Sequence, residues 1–144
     1  LKKVFLRYRD IIDYFELLDF KDELNIAFND EREQLFRDIK DEFKKLNIYV
    51  SPRVEISIKR YCNVAKKIMH EENRPLDYAI AQRLLPLINV QGVHAKQKLK
   101  ELQEKLPEDK FSISANILKD IISLGEEGEI YENQFNYFLT LSHA

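Results

Sequence analysis

Cysteine, glycine and proline are scarce in this sequence, which contains one, three and four of them, respectively, among 144 residues. The single thiol, Cys62, excludes a disulfide within the chain. It lies among residues patterned as a helix face, which is typical of a buried thiol in a reducing compartment, so we expect a cytoplasmic protein. With 44% hydrophobic and 33% charged residues, the composition is typical of one helix-rich globular domain that needs no disulfide or metal to fold.

Long apolar runs and a strong charge imbalance are missing as well. No stretch approaches the roughly 20 apolar residues that a membrane helix requires, and no signal-peptide pattern opens the chain, so we expect no membrane partner. The net charge of −2 and the isoelectric point near 6.0 give no overall electrostatic reason to bind nucleic acid. We therefore expect any contact with DNA to be indirect or weak.

Methionine occurs once, at Met69, and the chain begins with Leu1 followed by two lysines. Because a natural start codon would supply a methionine, we expect the sequence to be a segment of a longer polypeptide. The alternative is a complete short protein whose first residues are missing from it. On the first interpretation, the chemistry of the parent protein lies in the part that was removed.

Hydrophobic residues recur every three to four positions over most of the chain, and this spacing is typical of amphipathic helices. It predicts an all-α fold, a single helical domain over residues 1–144 with about six or seven helices in one bundle. The expected helices cover residues 2–18, 30 to near 47, 51–69, 76–88, 95–106, 112 or 114 to 124, and 131–141. The stretch 24–28 remains open between helix and strand, and Pro86 is expected to kink or end its helix.

Local signals predict where several of these helices begin and end. Ser51 is a good N-cap, and Pro52 suits the first helical position, where its missing N–H costs nothing. Ser112 or Ser114 is expected to cap a later helix, and Gly125 to close it as a C-cap glycine. The helix after Ser51 is expected to bury one face and to carry on its other faces Lys59, Arg60, Lys66 and Lys67.

Motifs for catalysis and metal binding are not found. A phosphate-binding loop requires a glycine followed by lysine, and none of Gly92, Gly125 and Gly128 has one. The three histidines, His70, His94 and His143, lack the spacing of metal ligands and are interpreted as surface residues. We therefore expect no cofactor, no metal and no enzymatic activity in this segment alone.

A run of lysines precedes Pro107 and admits two interpretations. Lys96, Lys98, Lys100 and Lys105 are placed to follow a nucleic-acid backbone, or they form a solvated helix face. Glu101 and Glu104 interrupt the run, and alternating charges favour the solvated face.

Arg53 stands in the first turn of the helix that Ser51 caps. The amide end of a helix carries about half a positive charge, so a cation there loses roughly 0.3–1 kcal/mol unless an anion is near. An arginine beside a helix N-terminus can bind phosphate through charge-assisted hydrogen bonds. The alternative is an ordinary solvent-exposed arginine.

Two motifs together carry a resemblance. The segment Val50–Val54 with its "SPR" step, followed by "LDYAIAQRLLPLI" at residues 76–88, resembles the C-terminal helical lid of AAA+ nucleotidases. It is most similar to the branch of MoxR-type ATPases and McrB-like motor subunits of 5-methylcytosine-specific restriction systems. The lid-like part covers residues 48–92, residues 93–144 are a C-terminal helical extension similar only in order, and residues 1–29 remain unplaced.

The resemblance implies a lid and sensor domain of a ring-forming, nucleotide-driven motor in a DNA restriction or defence system. Arg53, on the helix N-terminus formed by Ser51 and Pro52, would then face the γ-phosphate of ATP or GTP with Mg²⁺ on a preceding α/β AAA+ core of the same chain. The implied partners are that core, further copies in a homo-oligomeric ring, and a nuclease subunit. Arg83 would face a neighbouring subunit or cover the bundle.

A competing hypothesis is a stand-alone helical module that binds a protein or nucleic acid. The two hypotheses predict different surfaces. A lid should leave an exposed apolar patch with Arg53 on its rim, whereas an independent module should close its core on all sides.

Overall fold

Six α-helices, one 3₁₀ helix and two short strands make up the part of the chain that the computed structural model describes, residues 28, 30–65, 74–127 and 133–142. The helices are α1 (Asp30–Lys45), α2 (Pro52–Ala65), α3 (Arg74–Arg83), α4 (Val93–Lys105), α5 (Ser112–Glu126) and α6 (Tyr137–Ser142). The 3₁₀ helix is Leu85–Leu87, and the strands are β1 (Asn89–Gln91) and β2 (Gln134–Asn136). The predicted all-α bundle is confirmed, while the predicted helix over 2–18 lies outside the described residues.

The helices surround one core. α1 packs against α4, α4 against α5, α5 against α3, and α3 against α2. The buried side chains at the centre are Phe36, Ile39 and Phe43 from α1, Ile58 from α2, Leu76 and Ile80 from α3, Leu99 and Leu102 from α4, and Leu118 and Ile121 from α5. Each such side chain contributes about 1.5–3 kcal/mol through burial of apolar surface.

The end of α1 sets the start of α2. Asn47 adopts a left-handed conformation with φ 59°, its N–H donates to the Lys44 carbonyl, and the Ile48 N–H donates to the Phe43 carbonyl, both at 2.9 Å. This paired arrangement closes a helix and reverses the chain, and asparagine tolerates the left-handed conformation. The predicted end near Asn47 is confirmed.

Proline ends α3 as predicted. Pro86 lacks an N–H, so the α-helix stops at Arg83 and the chain continues as the 3₁₀ turn Leu85–Leu87. β1 follows and pairs antiparallel with β2, with Val90 opposite Phe135. The short sheet therefore joins the end of α3 to the C-terminal part of the chain.

The prediction that Lys59 lies on an outer face of α2 is wrong. Its side chain is buried, its Nζ lies 3.0 Å from Glu33 of α1, and it stands over the Phe28 ring at 5.6 Å. A long lysine stem can bury its methylenes while its charge meets a carboxylate and a ring face. Lys59 therefore ties α2 to α1.

The predicted serine cap of α5 is also wrong. Neither serine side chain caps the helix, whose N-cap residue is Phe111. The carboxylate of Asp77 on α3 takes that role: it accepts hydrogen bonds from the Ile113 N–H at 3.1 Å and the Ser114 N–H at 2.8 Å. Ser114 Oγ in turn donates to the Asp77 carbonyl at 2.9 Å. A buried charge from another helix thus satisfies the N-terminal amides of α5.

Gly125 does not close α5 as a C-cap glycine, since the helix continues to Glu126 and Gly125 is buried within it. A Cβ at this position would overlap the Phe135 ring and lie 2.9 Å from the Gln134 carbonyl oxygen. Glycine is therefore required here because β2 approaches the helix closely.

The aromatic tail differs from the predicted single helix. Residues Gln134–Asn136 form β2, and a short helix begins only at Tyr137. The reason is the buried Phe135, which packs against α5 in an extended segment paired with β1. Phe138, by contrast, is 62% exposed.

We predict that Asp77→Ala destabilises the protein by about 2–4 kcal/mol, because two amides at the start of α5 lose a charged acceptor. Urea denaturation followed by circular dichroism measures this change. Ser112→Ala is the matched control and should stay within about 0.5 kcal/mol, since Ser112 is exposed and caps nothing. Equal losses in the two variants would contradict the cap from α3.

Gly125→Ala should destabilise the protein by about 1–3 kcal/mol, although alanine is the better helix former, because the added methyl overlaps the Phe135 ring. The control in the same helix is Lys119→Ala at an exposed position, where little change is expected. In a Phe135→Leu background the cost of Gly125→Ala should shrink, and an unchanged cost would show that the ring is not responsible.

Cys62 is buried, as predicted, and burial raises the pKa of its thiol to about 11. At pH 8 only about one thiol in a thousand is then ionised, and Ellman's reagent attacks the thiolate. We expect the native protein to react at least about a hundredfold more slowly than the urea-unfolded chain. Asp77→Ala should accelerate labelling, and fast labelling of the native wild type would contradict the buried environment.

Candidate anion-binding face

The first turn of α2 is fixed by its cap. Ser51 Oγ accepts a hydrogen bond from the Val54 N–H at 3.2 Å, and the Ser51 carbonyl accepts from the Glu55 N–H at 3.0 Å. Pro52 is buried at the first helical position. The predicted cap is confirmed, and it holds the exposed Arg53 at the second position of the helix.

The acidic residue in this turn is directed towards α1. Glu55 accepts a hydrogen bond from Lys40 Nζ at 2.8 Å, and its side chain is only 15% exposed. Residues two apart on a helix lie on different faces, so this ion pair points away from Arg53. The pair fixes the angle at which α2 leaves the end of α1.

Arg83 lies at the last residue of α3 and contacts α2 of its own chain. Its Nε donates to Ser57 Oγ at 2.6 Å, and its guanidinium carbon stands 4.9 Å from the centre of the Tyr61 ring. A charge-assisted hydrogen bond and a cation–π contact thus hold the head group at two points. Its role at a subunit interface stays a prediction.

The structure brings Arg53 and Arg83 to one face. Ser57 follows Arg53 by one helical turn, a spacing at which Cβ atoms lie about 5–6 Å apart. Because Arg83 binds Ser57, its guanidinium lies on the same side of α2 as the backbone position of Arg53. We refer to Arg53, Ser57, Tyr61 and Arg83 as the anion-binding face. It is a candidate site for an anion, since guanidinium groups bind carboxylate and phosphate oxygens.

Exposed apolar side chains lie on the 3₁₀ turn that follows α3 and on α6. The chain runs from Arg83 directly into the 3₁₀ turn, which contacts α6, and the Tyr137 N–H donates to the Ile88 carbonyl at 3.1 Å. The large apolar residues exposed on these two elements are Leu87, Phe138, Leu139 and Leu141. We refer to them as the apolar end. Four exposed apolar residues on adjoining elements are a feature of surfaces that meet another protein or domain.

An open cleft of about 440 Å³ lies beside the connection from α1 to α2. It is lined by Lys40, Asp41, Lys44, Asn47, Ile48, Tyr49 and Val50, the last of which immediately precedes Ser51. The volume falls within the range of small-ligand sites, about 300–1,000 Å³. Sequence patterns gave no sign of this cleft, because it arises where the reversed chain turns back along the lysines of α1.

The lysines of α4 are engaged with neighbouring helices. Lys96 Nζ lies 3.3 Å and Lys100 Nζ 3.6 Å from the same carboxylate oxygen of Glu126 on α5, and Lys98 Nζ donates to the Lys45 carbonyl at 2.7 Å. The hydrogen bond from Lys96, with the charges of both ammonium groups, lowers the pKa of the Glu126 carboxyl. These contacts join α4 to α5 and α1 and favour a structural role over a nucleic-acid track.

Metal ligands are not grouped in the part of the chain that the structure describes, where no three His, Cys, Asp or Glu residues could hold an ion. His94 is exposed on α4, and His70 and His143 lie outside the described residues. None of the described helices is long and apolar enough to traverse a lipid bilayer.

Sequence reasoning missed two members of the anion-binding face. The helical period of α2 predicts that Tyr61 faces inward, and Tyr61 does pack against the core, but the period does not show that its ring also lies under the Arg83 guanidinium. Ser57 carries no motif of its own, but it and Tyr61 follow Arg53 at helical steps of four. That spacing is a signal for a shared face once the partner helix is known.

Comparison with known proteins gives one family. A family model described as "Domain of unknown function (DUF8727)" matches residues 7–130, which is most of the chain. No curated protein and no solved structure matches the sequence significantly. The matched region includes helices α1 to α5 and all residues of the anion-binding face. The chain therefore belongs to the family described as Domain of unknown function (DUF8727).

Proposed function

We propose that this chain is the helical lid and sensor domain of a nucleotide-driven motor, with Arg53 as its phosphate-sensing residue. The motor is of the ring-forming AAA+ type, in the MoxR and McrB-like branch, and acts in DNA restriction or defence in the cytoplasm. The lid is inactive alone. ATP or GTP with Mg²⁺ is bound by a preceding α/β core of the same polypeptide, and the assembled ring works with a nuclease subunit.

The observation that carries the proposal is an exposed arginine at a capped helix start, in a bundle that also exposes the apolar end. Arg53 is exposed on the first turn that Ser51 caps, and Phe138 and Leu141 of the apolar end are exposed on α6. A lid that closes over a nucleotide core needs both features: an apolar surface to meet the core and a cation near the phosphates.

Arg53 would act through its charge and through the fixed backbone of the helical turn that carries it. Charge-assisted hydrogen bonds from a guanidinium to the γ-phosphate are strong and planar, and they disappear when that phosphate leaves. Since Ser51 and Pro52 fix the backbone of the first turn, gain or loss of this contact acts on the whole helix α2. The nucleotide state thereby shifts the balance between a closed and an open lid.

The alternative is a stand-alone helical module that binds a protein or nucleic acid through the lysine face or the aromatic tail. Nucleic-acid binding through the lysine face is less well supported, because three of the four lysines of α4 make ion pairs or hydrogen bonds with α1 and α5. The exposed Phe138 and Leu141 of the aromatic tail suit the docking of a protein by such a module as well as the docking of a lid on its core.

We predict that Arg53→Ala lowers the kcat for nucleotide hydrolysis by about 10- to 1,000-fold in the natural polypeptide that contains this chain, because a positioned cation no longer stabilises the phosphoryl transition state. Steady-state phosphate release with ATP and with GTP measures the effect. The melting temperature should stay unchanged, since Arg53 is exposed.

The matched control is Arg37→Ala, which removes an exposed arginine from α1 and should leave turnover unchanged. Arg53→Lys keeps the charge without the planar fork and should retain part of the activity. Wild-type turnover in Arg53→Ala, or no hydrolysis of either nucleotide by the wild type, would overturn the proposed function.

A further inference from the structure

The open cleft beside the connection from α1 to α2 has an ordered apolar surface. Ile48 and Val50, which line it, pack against the core, and the Ile48 N–H donates to the Phe43 carbonyl at 2.9 Å. Lys40 also lines the cleft, and its Nζ lies 2.8 Å from a carboxylate oxygen of Glu55. A ligand in the cleft would therefore meet groups that are already fixed, which lowers the entropy lost on binding.

Two further charged residues of the lining have opposite signs. Asp41 and Lys44 are exposed, and neither side chain forms a hydrogen bond or an ion pair in the parts of the chain that the structure describes. The charge of Lys40 is already compensated by Glu55. A simple anion beside Lys44 would also meet the Asp41 carboxylate, and a simple cation beside Asp41 would also meet the Lys44 ammonium group. The lining therefore favours a ligand that carries both charges.

The spacing of the two charged residues bears on the length of such a ligand. Asp41 and Lys44 are three residues apart on α1, so their Cβ atoms lie about 5–6 Å apart. The charged ends of an extended dipeptide lie roughly 7 Å apart, at about 3.3–3.6 Å per residue, whereas a free amino acid holds both charges on one carbon. The cleft volume of about 440 Å³ is in the range of small-ligand sites. A dipeptide therefore suits the spacing better than a single amino acid.

Hydrogen-bonding groups for a peptide bond are also present. The N–H and C=O of Val50 make no hydrogen bond among the described residues, and neither does the Asn47 side chain. Residues 48–51 are neither helical nor paired in a sheet. Main-chain groups of a non-helical segment can bind the backbone of an extended peptide, as an added strand does.

We infer that this cleft binds a zwitterionic dipeptide with an apolar side chain. Asp41 pairs with the ammonium end of the ligand, and Lys44 pairs with its carboxylate end. Val50 and Asn47 form hydrogen bonds with the peptide group, while Ile48 contacts the apolar side chain. The site contains no residue of the anion-binding face and does not depend on the proposed nucleotide-driven motor.

The test is a nuclear magnetic resonance titration of the 144-residue chain with the dipeptide alanyl-leucine. Low salt is used because screening weakens contacts between exposed charges. We expect the backbone amide signals of Asn47 and Val50 to shift and to saturate together, which gives one dissociation constant.

Variants of the two charged residues test their roles. Lys44→Ala and Asp41→Ala should each raise the dissociation constant for alanyl-leucine about threefold, which is the size expected of an exposed ion pair. Lys119→Ala and Asp120→Ala are the matched controls at exposed positions of α5, and they should leave it unchanged. All four variants should keep the melting temperature of the wild type, since the altered side chains are exposed.

Blocked ligands identify the end of the dipeptide that each side chain binds. Alanyl-leucine amide lacks the carboxylate, so Lys44→Ala should no longer weaken its binding, whereas Asp41→Ala still should. N-acetyl-alanyl-leucine lacks the ammonium group and should show the reverse pattern. Free leucine should bind more weakly than alanyl-leucine, because its two charges lie too close together to meet both side chains.

Four results would each overturn the inference. They are the absence of a saturable shift at Asn47 and Val50, equal effects of the cleft variants and the α5 controls, binding of free leucine as tight as that of alanyl-leucine, and equal affinity for a dipeptide blocked at both ends. The last result would instead identify the cleft as a site for an internal segment of a protein chain. Nucleotide turnover with Arg53→Ala tests the proposed function separately, since Arg53 does not line the cleft.

Discussion

The buried carboxylate of Asp77 determines how the two halves of the bundle meet. It lies on α3 and accepts hydrogen bonds from the first amides of α5, 36 and 37 residues later in the chain. A buried charge is costly without partners, and a helix N-terminus offers both amide donors and a favourable dipole. The interaction therefore specifies one orientation of α5 against α3, and Ser114 secures it by donating back to the Asp77 carbonyl.

At the opposite end of α3, polar contacts likewise join this helix to α2. Arg83 binds Ser57 and stacks on Tyr61, so a single ten-residue helix is tied by polar contacts to one neighbour at each end. Beyond Arg83 the chain enters the 3₁₀ turn and β1, which pairs with β2. The location of Phe135, and with it α6, thus depends on how α3 and α5 are joined.

Features governed by near neighbours were predictable from the sequence, and features governed by distant ones were not. Ser51 and Asn47 form hydrogen bonds with residues only three positions away. The start of α2 and the end of α1 could therefore be inferred from residue type. Asp77, Lys59 and Gly125 acquire their roles from helices and a strand elsewhere in the chain. Residue type alone argued for a serine cap, an exposed lysine and a terminal glycine, and tertiary contacts overrode all three.

The candidate site shows the same division. Arg53 was identifiable because a cation in the first turn of a helix conflicts with the helix dipole, a conflict visible in the sequence. The contact of Arg83 with Ser57 spans 26 residues and depends on the crossing of α2 and α3, which no local pattern specifies. The candidate anion-binding face therefore depends partly on a sequence motif, at Arg53, and partly on the packing of α2 against α3, at Arg83.

The packing of α2 against α3 determines how a phosphate contact at Arg53 would affect the rest of the bundle. In the proposed lid, an anion held by Arg53 would act on α2, and Arg83 joins α2 to α3 at Ser57. Asp77 on α3 binds the first amides of α5, so a rotation of α2 and α3 would also move α5. The Phe135 ring of β2 lies directly against Gly125 of α5, so β2 would move with that helix. Closely packed interiors transmit displacement and do not absorb it. We expect a bundle joined in this way to move as one body in the proposed lid, so that the exposed α6 would change its contact with a neighbouring domain when the phosphate is gained or lost.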